Sequence, residues 1–261
     1  MVKTNRIREA LKAGKPTVAT HIHTIWPSVV EAIALTGAYD YIEFVAEYAP
    51  YTLHDLDNLA RAGELHGVSM MLKPDQANQQ LVSQHAIGSG FHSILFVDIR
   101  TPDDARQAVR IAKPETPEDG GIHGVASRRI TYMGYGGNQA YVQALRDVVV
   151  AIMIEKKSAV ERLDEILDVP GIDMVQWGPS DYSMSIGKAG QRGDAEVAAA
   201  AKTVFETCLK KGIQPRAEIG GPEDAKRYLD MGVKYFCMDT DISLLYRVLK
   251  KNGEDLRTLL S

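Results

Sequence analysis

Short apolar runs alternate along this chain with longer stretches of helical spacing. The clearest unit spans residues 148–181. VVVAIMIE (148–155) is an unbroken apolar run ending in Glu155, and KKSAVERLDEILDVPG (156–171) has helical spacing through Val160, Leu163, Ile166 and Leu167. IDMVQW (172–177) is a second apolar run, closed by Gly178-Pro179-Ser180-Asp181. A strand apolar on both faces belongs to a parallel sheet covered by helices. The unit therefore reads as strand–helix–strand with a carboxylate after each strand.

The rest of the chain repeats that rhythm. Strands are expected at 17–23, 39–47, 68–73 and 92–99, then at 213–220 and 233–240 on either side of 222–232. Helices are expected between them. Pro27 and Gly37 bracket the first, Gly67 ends the next, and Thr101-Pro102 is an N-cap followed by a proline at the first helical position. A helix over 195–212 and a tail helix over 241–260, apolar on one face, complete the series. Eight strand–helix units in 261 residues predict one α/β domain, a (β/α)8 TIM barrel. The long break at 114–137, rich in glycine and aromatics, is expected near the barrel mouth or at a subunit contact.

Composition narrows the picture. The 45% hydrophobic and 25% charged content is that of a globular chain with a sizeable core. A net charge of −4 gives no general attraction to nucleic acid or to anionic membrane. Cys208 and Cys237 match no zinc spacing and no disulfide framework, which fits a reducing, cytoplasmic setting. The N-terminal stretch lacks the apolar run of a signal peptide or membrane span.

In a parallel α/β protein the chemistry sits at the carboxyl ends of the strands. Glu155 and Asp181 follow successive strands, and adjacent strands lie about 4.8 Å apart. The two carboxylates are thus candidates to share a divalent ion. An oxygen-rich site with room for water suits Mg²⁺ or Mn²⁺, with Co²⁺ an alternative.

Several segments carry a family resemblance: GKPTVAT with EAIALTGAYDYIEFVAEYAP, the GGIHGVASR loop, the IMIEKK…WGPSDYSMSIG block and RYLDMGVKYFCMDTDISLL. Together, over nearly the whole chain, they resemble the HpcH/HpaI aldolase/citrate lyase family, and within it the metal-dependent 4-hydroxy-2-oxoacid (pyruvate) aldolases. The resemblance implies a (β/α)8 barrel, often hexameric as a trimer of dimers, with the last helix exchanged between subunits. Glu155 and Asp181 match its metal ligands. Gly178 and Ser180 match positions whose amides hold the substrate carboxylate, and Lys73 stands about where an enolate-neutralising arginine is usual. The substrate implied is a 2-oxo acid.

The chain also departs from the family pattern. A Glu-His pair after the second strand is replaced by Glu47-Tyr48, and the third helix offers HAIGSG in place of the partner aspartate. Met153 stands for a glutamine and His123 for an arginine. Tyrosine, with a pKa of about 10, is a poor base. Tyr48 and Glu47 are expected to shape the aldehyde side. Trp177 is a candidate pocket wall, and Arg128, with Arg129, a candidate carboxylate grip. Of His21 and His23, at most one is expected to reach the mouth, His23 being taken as the substrate contact. Asp239 and Asp241 are expected to cap the last helix. The reading is aldol cleavage of a 4-hydroxy-2-oxo acid. The alternatives are another reaction through the same enolate, such as decarboxylation, enolisation or a citrate-lyase-like cleavage, or non-catalytic binding of an oxo acid.

Overall fold

In a computed structural model, which describes residues 4–125 and 138–261, eight parallel strands close into a barrel in chain order. They are β1 (Thr17–Ile22), β2 (Tyr41–Val45), β3 (Ser69–Lys73), β4 (Ser93–Phe96), β5 (Val149–Ile154), β6 (Met174–Trp177), β7 (Gln214–Ile219) and β8 (Tyr235–Thr240). Every predicted strand is present, each shortened at one or both ends. The helices are α1 (Arg6–Ala13), α2 (Pro27–Leu35), α3 (Leu53–His66), α4 (Gln79–Ser89), α5 (Pro102–Ala112) and α6 (Gln139–Arg146). After these come α7 (Lys157–Glu161), α8 (Leu163–Leu167), α9 (Pro179–Ser185), α10 (Ala195–Lys211), α11 (Ala225–Leu229) and α12 (Asp241–Leu260).

Local chemistry sets the helix limits. Thr101 and Asp104 form a reciprocal capping box at the start of α5. Asp194 caps α10 and Gly212 ends it in the left-handed conformation. The expected helix over 156–171 is instead two short helices, broken at Arg162 (φ −116°, ψ 23°). The break lets Ala159, Leu163, Ile166 and Leu167 all bury.

The apolar core has two parts. One lies between sheet and helices and includes Ile42, Phe44, Leu72, Ile94, Ile152 and Val175. The other fills the barrel interior, with Ala19, Tyr41, Met71, Leu95, Ala151 and Met153. Ile7 of α1 belongs to this inner set and is fully buried, so α1 stoppers the end of the barrel away from the strand carboxyl ends. Arg8 fixes that stopper with two 2.7 Å bonds to Asp173.

One irregularity matters for the site. Ala19 pairs with Cys237, but His21 pairs with Thr240, so β8 takes three steps where β1 takes two. The extra residue is absorbed around Asp239, whose φ is +61°. Such a bulge re-aims neighbouring side chains.

Candidate active site

A cavity of about 600 Å³ opens at the carboxyl ends of the strands. Its lining includes Glu155, Asp181, Lys73, Tyr48, His21 and His23.

Glu155 leaves the end of β5 and is 5% exposed. Its Oε1 accepts a 2.9 Å bond from the backbone N–H of Asp98. Asp98 holds a left-handed backbone (φ +57°), which aspartate tolerates better than most residues. Burial pushes the Glu155 carboxyl up. The Asp98 amide, Lys73 and Lys156 pull the other way, and Asp181 pushes it up further.

Gly178 shapes the space beside Glu155. A Cβ there would lie 2.6 Å from Glu155 Cβ and 2.8 Å from its Oε2. The Gly178 N–H is spent on Ile154 O at 3.1 Å, so this residue contributes by having no side chain and not as an amide donor. The GPSD stretch is not a bare turn but the start of α9, with Gly178 as N-cap and Pro179 at the first position. Asp181 lies in that first turn, where a helix leaves amides without internal partners. Ser180 shares the turn. Its carbonyl accepts from Ser183 Oγ at 2.8 Å.

Lys156 bridges two acids. Its Nζ is 2.7 Å from Asp181 Oδ1 and 2.8 Å from Asp98 Oδ1. An ammonium thus occupies a position between carboxylates beside Glu155. Among these residues the donors are hard oxygens and the local charge is negative, which fits a hard divalent ion.

Lys73 is also buried. Its Nζ is 2.6 Å from Glu47 Oε2, 3.4 Å from Tyr48 OH and 4.8 Å from the centre of the Tyr48 ring. Burial alone would lower its pKa, but the hydrogen bond and charge of Glu47 raise it above the ordinary value. Lys73 is therefore a fixed cation and no nucleophile. The Tyr48 hydroxyl is raised as well, mainly by desolvation, so even less of the phenolate that could take a proton is present than in free tyrosine.

His21 and His23 both line the cavity, contrary to the expectation that only one would. Residues two apart share one face of a strand. The His23 ring meets Tyr48 edge-on at 6.2 Å, and its backbone N–H donates to Asp241 Oδ1 at 3.0 Å. Asp241 begins α12 behind the Thr240 N-cap, while Asp239 pairs with Arg247 at 2.7 Å. Trp177 touches the cavity, but its ring is committed to Tyr182, 4.8 Å away, and to the outer core. His123 lies elsewhere, buried in a short bridge with Pro114. Arg128 and Arg129 fall outside the described residues.

Sequence reading missed a charged floor beneath this mouth. Arg216 on β7 is fully buried, and its guanidinium is 2.6 Å from Glu43 Oε2 on β2. The same guanidinium donates to Gln176 and lies 5.4 Å from the Tyr41 ring centre. Gln176 in turn donates to Glu218 at 3.1 Å. Donor atoms of His21, Glu43 and Cys237 come within 4.8 Å of one another, close enough to hold a metal. Yet Arg216 already supplies the cation there, and burial pushes the Cys237 thiol far from its ligating thiolate form. A signal for the floor was present. Glu43 and Arg216 sit inside strands with no solvent face, so each needed a buried partner. Asp98 and Lys156 left no comparable trace.

The sequence profile of the HpcH/HpaI aldolase/citrate lyase family matches residues 25–236. The 4-hydroxy-2-oxo-heptane-1,7-dioate aldolase of Escherichia coli is 28% identical over 244 residues, 93% of this chain and 91% of its own. The 2-keto-3-deoxy-L-rhamnonate aldolase of Escherichia coli is 27% identical over 247 residues, 92% of this chain and 89% of its own. A crystal structure of a family protein from Burkholderia cenocepacia superposes with a TM-score of 0.87 at 26% identity, covering 97% of this chain and all of that one. The chain belongs to the HpcH/HpaI aldolase/citrate lyase family and is a lyase.

Proposed function

We propose that this protein is a divalent-metal-dependent aldolase that cleaves a 4-hydroxy-2-oxo acid into pyruvate, or a related oxo acid, and an aldehyde. One observation carries the reading: Glu155 and Asp181, from successive strand ends, face one cavity with a cation already drawn against Asp181. The two aldolase relatives support the reaction class.

Glu155 and Asp181 would hold Mg²⁺ or Mn²⁺, with Co²⁺ an alternative. When bound, the ion supplies Lewis-acid polarisation of the C2 keto group. Lys73, kept protonated by Glu47, neutralises charge developing on the C2 oxygen as the C3–C4 bond breaks. The first-turn amides at Ser180 and Asp181 receive the substrate carboxylate. Gly178 leaves the room for this, and Tyr48, Glu47 and His23 border the aldehyde side. Trp177 braces the wall from behind, and Arg128 is a further candidate for the carboxylate.

A cytoplasmic setting accords with the reading. No helix among the described residues is long and apolar enough to cross a membrane. A homo-oligomer, hexameric by family resemblance, is supported by α12. It buries none of its residues, and it exposes Ile242, Leu245, Leu249, Leu256 and Leu260. Exchange of this helix with a second copy would cover them, and light scattering on the purified protein measures the assembly.

The decisive test is Glu155→Ala and Asp181→Ala. Each is expected to abolish metal-dependent cleavage while leaving thermal unfolding cooperative. Full activity of either variant in chelator-treated buffer would refute the assignment.

A further inference from the structure

Cleaving a 4-hydroxy-2-oxo acid requires a group that takes the proton of the C4 hydroxyl. The described groups at the mouth are poor choices. Tyr48 is raised above the ordinary tyrosine value, and Lys73 is held as a cation. Glu47 is committed to Lys73 at 2.6 Å, and Asp181 to Lys156 at 2.7 Å. His23 packs edge-on against Tyr48, and its backbone N–H is held by Asp241; among the described residues no carboxylate orients its ring.

His21 is built differently. Its Nε2 is sealed from solvent and aimed at Glu43 Oε1, 3.6 Å away. Its Nδ1 faces the half-exposed Glu218 at 3.9 Å, on the open side of the ring. Glu43 is clamped from behind by Arg216 at 2.6 Å. Burial would raise the Glu43 carboxyl, but Arg216, with His21 and Lys73, more than offsets this and holds it below the usual range. An ionised carboxylate 3.6 Å behind an imidazole steadies the imidazolium once formed. The β1–β8 register shifts between Ala19 and His21, next to this ring. Glu43 from β2, Glu218 and Arg216 from β7, and Cys237 from β8 surround this ring. A purely structural histidine would not need two facing acids and a buried arginine to hold one of them.

We infer that His21, oriented by Glu43 and Arg216, is the proton-transfer residue of this site. The inference rests on the aldolase reading above. Nδ1 takes the hydroxyl proton from C4. The O–H electron pair becomes the second bond of the aldehyde carbonyl, and the C3–C4 pair moves into a C2–C3 double bond, leaving the enolate oxygen on C2. A solvent proton then completes C3, and the imidazolium returns its proton to solvent. His21 ends each turnover neutral, and Glu43 acts only as a positioning residue.

The test compares His21→Gln and His21→Ala with the intact protein. The readouts are cleavage kinetics, calorimetric binding of Mn²⁺ with oxalate, and thermal unfolding. His21→Gln is expected to lower kcat by at least about 100-fold, the usual scale of general acid–base catalysis. It should shift Mn²⁺–oxalate affinity less than about threefold, well under the tenfold that 1.4 kcal/mol represents. Added imidazole should restore part of the activity of His21→Ala. If kcat stays within about threefold of the intact protein, the inference is wrong, since a general base contributes far more. Loss of Mn²⁺–oxalate binding along with kcat would also overturn it, making His21 a binding or packing residue. Should the intact protein neither bind Mn²⁺–oxalate nor cleave any hydroxy-oxo acid, the aldolase reading itself fails and carries this one with it.

Discussion

The two sides of the barrel floor differ in material: both are apolar, but one also holds a buried charged set. Toward β3, β4 and β5 the interior is Met71, Leu95, Ala151 and Met153, all buried and apolar. Toward β1, β2, β6 and β7 the apolar Ala19, Tyr41 and Met174 are joined by His21, Glu43, Gln176 and Arg216, equally buried and polar or charged. The first side is what folding alone would select, since burying apolar surface stabilises at about 25 cal/mol per Å². The second is costly, because ions taken out of water lose several kcal/mol of hydration each, roughly what a good pair regains. A barrel does not need such a floor to stand. Its presence under a cavity is best explained by chemistry there.

The strongest way to break this comparison is Arg216→Met. Removing one member of a buried pair strands the other, and a loss of about 3–5 kcal/mol is expected from urea unfolding. Glu43→Leu combined with Arg216→Met should recover most of that loss or exceed the parent stability, by up to about 4 kcal/mol, while cleavage falls. If the double variant were both stable and fully active, the charged floor would have no functional reason.

His123 sharpens the contrast from outside the site. It is 3% exposed, and among the described residues no acid shifts its pKa, which is set by burial. Burial lowers its pKa from 6.5 to about 4. The unfolded chain therefore binds a proton near pH 6.5 that the folded chain refuses until about pH 4. Stability from this residue is complete above pH 6.5, falls as pH drops through that window, and levels off below it. The span corresponds to about 3 kcal/mol, and His123→Gln should flatten it in unfolding curves measured across those pH values.

The smallest effect belongs to the apolar side. Met71→Leu conserves volume and should cost less than about 1.5 kcal/mol, with cleavage unchanged. A larger loss of activity would mean that this side, too, shapes the substrate.

How much of this was legible depends on which physical rule spoke. Parallel strands announce themselves as apolar runs, so all eight were readable, down to the polar-looking β7 with its proline. Glu155 and Asp181 were readable because each closes such a run. The helix break at Arg162 and the left-handed Asp98 were not, since they follow from packing between elements far apart in sequence. Treating His21 and His23 as alternatives overlooked the two-residue period of a strand. The charged floor was half legible: Glu43 and Arg216 advertised a need for partners, but only the barrel's closure pairs β2 with β7 across its interior.

The helical stopper at the base of the barrel has a consequence for traffic. With Ile7 plugging the far end, the cavity is a cul-de-sac. Both fragments of a split molecule have to back out through the doorway by which the whole one came in.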